Sequence, residues 1–411
     1  MSKVIWYCHH YAGSPTKGMS YRPYYLTKAF NQAGMNAYVI GANNHHLMQG
    51  EVEQTGPVHL DGSEDIPFIT IKTKPYAGNG IGRMVNALGY AWGLKRHYRK
   101  LINITGKPDA IIVSSGHPFH FPVMKKIAKK LKAKLIFEVR DLWPLSLQQL
   151  TNLSSWHPLC LWLSTIEKSA YKNADHVVTL LDNSFEHMQS KGLSEVRFKI
   201  IPNGLSLDDY RQSQPIDLGL LTTLQTLRQS GQFLLGYTGA LGPPNAMEYL
   251  IDAMALLAKK HLPIHAVLVG NGGLKVQLEQ KARALGLSNI TFVDAIPKKQ
   301  IPSLLKEMDG LYLGWNDASI YEYGVSPNKV FDYMMASKPI IESGGSPTKL
   351  IEQVGCGINC KAASGQDIAD AIVNLATLSD KERKEMGLRG KQYVMEHHNY
   401  ETLAKAYIQL L

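Results

Sequence analysis

Between Tyr321 and Pro339 a serine-proline pair, Ser326-Pro327, stands directly before Asn328, Lys329 and Asp332. Ser-Pro reads as an N-cap and first helical residue. Backbone amides exposed at such a helix start favour an anion, a diphosphate for example. Lys329, in the first turn, adds positive charge against the same phosphate. Asp332 lies one turn on, on nearly the same face as Asn328 and Lys329, and suits a ribose diol with its two hydroxyl donors. The bland alternative is a capped amphipathic helix with a surface lysine-aspartate pair. The acidic loop 317–322 before the segment and the apolar run 339–342 after it favour chemistry.

Other reactive side chains also follow apolar runs. His117 sits in Ser114-Ser115-Gly116-His117-Pro118. A lone histidine is often structural, but its place just after a strand makes it a candidate. Arg140, Asp141 and Trp143 follow the run 135–139. Asp141 could orient a hydroxyl and Trp143 could stack on a sugar face or fill a core. Gly13 and Gly18 bracket the loop after the first run, with Arg22 beyond it. Glycine there lets backbone approach a diphosphate closely. Gly78, Gly80 and Arg83 mark a mobile loop with no assigned role.

The elements that must position these residues alternate strand and helix. Strands are expected at 4–7, 37–40, 110–114, 135–139, 177–181 and 199–202, with helices between them, one of them at 24–33. The pattern restarts with strands at 233–237, 266–269, 290–293, 310–313, 339–342 and 357–359. This is the signature of two doubly wound parallel sheets. The boundary falls after Gly204, which makes 1–204 the first domain and 205–390 the second, with 391–411 a C-terminal helix packing back toward the first. The stretch 205–230 reads as a linker plus a surface helix. Two such domains imply a cleft, and ligands in such folds sit beyond the carboxyl ends of the strands.

Composition narrows the class. At 411 residues, 45% of them hydrophobic, the chain has enough apolar mass for two cores. The four cysteines, Cys8, Cys160, Cys356 and Cys360, form no zinc-ligand pattern and suit a reducing compartment. His9 and His10 interrupt the first apolar run, so no signal peptide is expected, and no run is long enough to span a membrane. The protein is expected in the cytoplasm. Net charge is +10, concentrated in Lys95, Arg96, Arg99 and Lys100 and in the run Lys125, Lys126, Lys129, Lys130, Lys132 and Lys134. That run reads either as a solvated helix face or as an attraction to anionic lipid or a phosphate-bearing acceptor, hence peripheral on the inner membrane face. Nucleic-acid signatures are absent.

The succession Glu138-Val139-Arg140-Asp141-Leu142-Trp143-Pro144, Ile201-Pro202-Asn203-Gly204, Tyr237-Thr238-Gly239, Val269-Gly270-Asn271-Gly272 and Ser326-Pro327-Asn328-Lys329-Val330-Phe331-Asp332-Tyr333-Met334 resembles family 4 of the retaining glycosyltransferases, in the branch that makes bacterial surface polysaccharides. The resemblance covers nearly the whole chain and implies the GT-B fold: two tandem Rossmann-like α/β domains facing a cleft. It also implies a nucleotide-sugar donor in the second domain and an acceptor in the first. His117 matches the cleft histidine of the family. The usual Glu-x7-Glu pair keeps its second acid as Asp332; eight residues earlier stands Gly324, and Glu322 is the candidate for the first acid. Where relatives carry a phosphate-clamping arginine and lysine after the Gly239 strand, this chain has Ala240 and Asn245-Ala246. Lys329 then carries much of the cationic role, with amides of 239–242 assisting.

The implied reaction is metal-independent transfer, with retention, of a hexose or N-acetylhexosamine from a UDP-sugar to a glycan or polyprenyl-diphosphate-linked acceptor. His117, Glu322 and Lys329 would be the catalytic groups. Gly13, Gly18, Gly239, Asn245, Gly270, Asn271, Ser326, Pro327, Asn328, Lys329 and Asp332 would hold the donor, and Arg22, Arg140, Asp141 and Trp143 the acceptor. No cofactor or metal is expected. The rivals are a sugar-nucleotide epimerase of similar architecture and a non-catalytic binding subunit.

Overall fold

The computed structural model describes residues 2–18, 20–48, 54–78, 80–345 and 347–411, and of Leu150 the backbone alone. The chain divides into two compact units, one ending at Asn203 and rejoined by Tyr400–Leu411, the other spanning Gly204–Asn399.

The first unit is built on an eight-stranded sheet of β1 (Val4–Cys8), β2 (Asn36–Ala42), β3 (Val58–Asp61), β4 (Phe68–Ile71), β5 (Ala110–Ser115), β6 (Lys134–Val139), β7 (His176–Thr179) and β8 (Phe198–Ile200). Their spatial order is β3-β4-β2-β1-β5-β6-β7-β8, all parallel except the β3–β4 pair. β1 and β5 lie side by side in register, Ile5 with Ala110 through Cys8 with Val113, so the loops after both strands emerge together. The expected strands, apart from the edge strand β8 with Lys199 and Ile200 exposed, read as near-continuous apolar runs, the mark of parallel strands buried on both faces. β3 and β4 were not expected. Each has four residues, and β3 leaves His59 and Leu60 exposed, so no buried run announces it.

The helix Arg22–Gln32 starts two residues earlier than anticipated and packs against the C-terminal helix Tyr400–Ile408, with Tyr25 stacked on Tyr400 at 5.0 Å. Gly80 and Arg83 belong to the start of a 25-residue helix, Ile81–Thr105, rather than to a loop. Lys125 to Lys130 of the basic run lie on the helix Phe121–Leu131, which buries Phe121, Met124, Ile127 and Ala128 and turns Lys126, Lys129 and Lys130 outward, while Lys132 caps its end and Lys134 opens β6.

The second unit holds six parallel strands, β9 (Phe233–Thr238), β10 (Ile264–Val269), β11 (Ile290–Val293), β12 (Gly310–Gly314), β13 (Ile340–Ser343) and β14 (Gly357–Cys360). Their order is β11-β10-β9-β12-β13-β14. The order reverses at β9, where chain direction along the sheet switches, so the loops after β9, β10 and β12 converge. Residues 205–230 contain two helices, Leu207–Arg211 and Leu218–Gln229. The helix Asn328–Met335 buries Val330, Phe331, Tyr333 and Met334, partly against the long helix Asp380–His397.

Candidate active site

In the second unit Lys329 leaves the first turn of its helix and turns onto the loop after β9. Its Nζ donates to Asn245 Oδ1 at 2.6 Å and to Tyr237 Oη at 3.0 Å, and it lies 4.5 Å from the centroid of the Tyr237 ring. Tyr237 and Asn245 both donate to Ala240 O, at 2.7 and 2.9 Å, so one carbonyl aligns both partners of the lysine. The residue as a whole is half-buried. Burial lowers its pKa to about 7. Among the described residues it makes no ion pair. A desolvated cation held only by neutral oxygens and a ring face is a strong anion receptor.

The glycines of this site have a different role from the one expected. Gly239 (φ +144°) and Gly270 (φ +152°) bring the loops after β9 and β10 into contact: a Cβ on Gly270 would lie 1.9 Å from Gly239 O. The amide of Gly239 donates to Val269 O at 3.0 Å and that of Leu241 to Asn271 O at 2.9 Å. These two amides fasten loop to loop, so they are not free for a phosphate. Asn271 contributes its carbonyl to this seam, and its side chain accepts from Lys275 at 3.2 Å.

The helix start is also one residue later than expected. Pro327, in extended conformation (φ −73°, ψ 136°), occupies the cap, makes no side-chain cap bond and displaces Ser326 to the preceding position. Proline's fixed φ suits extended backbone as well as a first helical residue. Asn328 opens the helix on its exposed side. Asp332 answers to other charges: burial raises its carboxyl to about 6, with Lys298 pulling down and Asp209 pushing up. Its carbonyl accepts from Tyr210 Oη. Glu322 is exposed on the short turn Ser319–Tyr323, beside Tyr321, whose ring meets Trp315 edge-on at 5.1 Å.

In the first unit the ends of β1, β5 and β6 gather a histidine-rich cluster. His117 Nε2 lies 2.7 Å from His10 Nδ1, and His10 Nε2 lies 2.6 Å from Asn86 Oδ1. Arg140 Nη1 donates to Ser20 Oγ at 2.9 Å and to His9 Nε2 at 3.2 Å, and the other ring nitrogen of His9 lies 3.2 Å from Ser114 O. Arg83 donates to Tyr11 Oη at 3.1 Å, and the Tyr11 ring stands edge-on to His117 at 5.4 Å. Asp141 is exposed, whereas Trp143 is half-buried with an indole N–H that has no partner among the described residues.

Arg22 is not an acceptor-side residue. It is buried, donating to Glu138 at 2.9 Å, Ile201 O at 2.7 Å, Tyr407 Oη at 3.3 Å and Pro202 O at 2.5 Å. Burial would raise the Glu138 carboxyl, but Arg22, Arg140 and bonds from Ser114 and Tyr407 overcome it and hold it below its ordinary range. Gly18 (φ +146°) likewise serves packing: a Cβ there would lie 2.3 Å from Leu47 O. Gly13 is buried and donates to Ser20 O at 3.4 Å.

Sequence reasoning missed His10, Asn86, Tyr11 and Tyr237. The signal for His10 was present, a polar His9-His10 pair just after the first strand. Asn86 lies within a helix, 76 residues from its partner, and carries no local signal.

Residues 16–209 match the family described as Glycosyltransferase Family 4, and residues 232–377 match Glycosyl transferases group 1. Both halves are glycosyltransferase domains. The colanic acid biosynthesis glycosyl transferase WcaI of Escherichia coli K12 is 25% identical over 205 residues, 49% of this chain and 50% of that protein, so the match spans about half the curated relative's length. Among solved structures, sucrose-phosphate synthase from Thermosynechococcus elongatus gives a TM-score of 0.72 at 14% identity, covering 99% of this chain and 98% of that one. Anabaena HepE in complex with UDP and glucose gives 0.66 at 16%, with coverage of 99% and 98%. This likeness establishes the two-domain GT-B fold that the resemblance implied.

Proposed function

We propose that the protein transfers a hexose or N-acetylhexosamine, with retention, from a UDP-sugar to a glycan or lipid-linked glycan in surface-polysaccharide synthesis. The observation that carries this reading is Lys329, a buried ammonium with neutral partners on the loop after β9. The donor diphosphate is its missing counterion. Asp332 takes the ribose hydroxyls and Glu322 faces the sugar. The acceptor hydroxyl attacks the anomeric carbon on the face that the diphosphate leaves. The C–O bond to phosphate breaks, the acceptor proton passes to a leaving phosphate oxygen, and the nucleoside diphosphate departs. Lys329 stabilises the charge that builds on that leaving group, with no metal required. The first unit receives the acceptor beside Arg140, Asp141 and Trp143. HepE with UDP and glucose and the colanic acid transferase support the donor and pathway class.

A specific surface supports action at an anionic membrane. No helix among the described residues is long and apolar enough to cross one. On the helix Ile81–Thr105, however, Ile81, Val85 and Trp92 are exposed on the same face as Lys95, Arg96 and Arg99, and the Arg96 guanidinium lies 5.2 Å from the Trp92 ring. Apolar side chains beside basic ones on one helical face suit a headgroup region. Cosedimentation with anionic but not zwitterionic vesicles is expected.

The deciding experiment is a thermal-shift screen against UDP-, GDP-, ADP- and dTDP-sugars, without and then with divalent metal. A Tm rise with UDP-sugars, lost in Lys329→Ala, is expected. A silent screen at millimolar ligand would favour the non-catalytic subunit, and an epimer formed from UDP-sugar alone would favour the epimerase.

A further inference from the structure

The bonding around Asn86 fixes the proton on His117, two residues away through His10. The Asn86 side-chain nitrogen approaches Lys74 O at 2.7 Å, Thr73 Oγ1 at 3.0 Å and Asn44 O at 3.1 Å. Two of these are backbone carbonyls, which only accept, so the NH2 end of the amide must point at them. The opposite end, Oδ1, then faces His10 Nε2 at 2.6 Å as an acceptor, and His10 Nε2 carries a hydrogen. Burial and the neighbouring His45 and His120 hold His10 neutral, so its Nδ1 is a bare lone pair. That lone pair meets His117 Nε2 at 2.7 Å and must receive a hydrogen from it. Burial, His10 and His120 keep His117 neutral too. The remaining nitrogen of the ring, Nδ1, is thereby left without a proton. It is buried and has no partner among the described residues.

We propose that Asn86, acting through His10, locks His117 in the Nε2–H tautomer, so that Nδ1 presents an obligate acceptor to a hydroxyl of the sugar substrate. Asn86 and His10 are positioning residues. The sugar-binding half of this inference rests on the transferase reading above; the tautomer half does not. An acceptor-only nitrogen takes a group with an O–H or N–H and repels a carboxylate or carbonyl oxygen at the same place. Such a site discriminates strongly because a substrate lacking the donor leaves a buried acceptor unpaired.

The test is a proton–nitrogen correlation spectrum of the full-length protein, isotopically labelled in its histidine ring nitrogens, with His117→Gln identifying the resonances. At neutral pH the expected result is a protonated Nε2 and an unprotonated Nδ1 on His117. A proton on Nδ1, or on both nitrogens, overturns the proposal. Asn86→Leu removes the acceptor for His10 and should move the His117 tautomer ratio by roughly tenfold, the worth of one hydrogen bond. If Asn86→Leu does not fold, His10→Phe removes the acceptor for His117 directly and should give the same shift. A folded variant of either kind with an unchanged tautomer overturns the relay. With UDP-glucose as probe, a Tm rise accompanied by a moved Nδ1 resonance supports the sugar contact, and a Tm rise with an unmoved one overturns it. Absence of any Tm rise with sugar nucleotides counts against the transferase reading and leaves the tautomer result to stand or fall on the spectrum.

Discussion

Arg22 and Lys329 are both buried cations, and their partners differ completely. Arg22 has a carboxylate, two carbonyls and a phenol around it, all within its own unit. Lys329 has an amide oxygen, a phenol and a ring face. A buried charge whose field is fully answered is part of the architecture. A buried charge answered only by neutral dipoles is still waiting for a counterion, and that is what distinguishes a binding group from a structural one.

Breaking the satisfied cation should cost most. Arg22→Met leaves Glu138 buried without its cation, with Tyr7, Ser114 and Tyr407 still aimed at it. A loss of about 3–5 kcal/mol is expected in denaturant unfolding, with the second unit unaffected in kind. Lys329→Met should do the opposite: turnover falls by roughly 10²–10³-fold through lost stabilisation of the leaving group, while the free protein becomes more stable. The sign follows from linkage. With a folded pKa of about 7 against an ordinary 10.5, the unfolded chain binds more protons above pH 7, and stability of the native protein rises with pH there. The variant should lose that pH dependence in a melting series.

Next in size is the seam between the loops. Gly270→Ala places a methyl against Gly239 O at 1.9 Å and must part the loops after β9 and β10. A Tm drop with weaker donor binding is expected, whereas Gly34→Ala, with no neighbour near its Cβ position, should leave donor binding alone. The smallest effect concerns Asp332. Its folded pKa of about 6 lies above the ordinary 3.8, so the folded state holds the extra proton between these values and stability falls as pH rises through 6. Asp332→Asn should stabilise the free protein by roughly 1–3 kcal/mol above pH 6 and not at all near pH 3, while weakening binding of ribonucleotides more than of 2′-deoxyribonucleotides.

The two cations also show what a sequence can carry. The doubly wound halves were legible because β1, β5, β9 and β10 are near-continuous apolar runs, broken only by His265 in β10 and by hydroxyl residues at the ends of β5 and β9. Lys329 stood out because Ser326 and Pro327 preceded it. Arg22 looked like a loop-end functional residue for the same local reason, and only the fold shows Glu138 from β6 and Tyr407 from the last helix closing around it. Glycines misled in a similar way: Gly239 and Gly270 suggested room for a phosphate, yet each makes room for the other's loop. The helix Ile81–Thr105 went unread because its exposed face is itself apolar at Ile81, Val85 and Trp92, which blurs the helical period. Pairings across long stretches of chain, such as His10 with Asn86, have no local pattern at all.

Calorimetry of UDP binding at pH 8 tests the proposal that Lys329 is the receptor for the donor diphosphate. Titrations of the native protein and Lys329→Met would be run in two buffers of different ionisation enthalpy. The native protein is expected to take up about one proton per UDP bound, because the phosphate restores the charge on a lysine that is mostly neutral at that pH. The variant is expected to bind much more weakly, without proton uptake. UDP binding of equal strength to both proteins, with no proton taken up by either, would contradict the proposal.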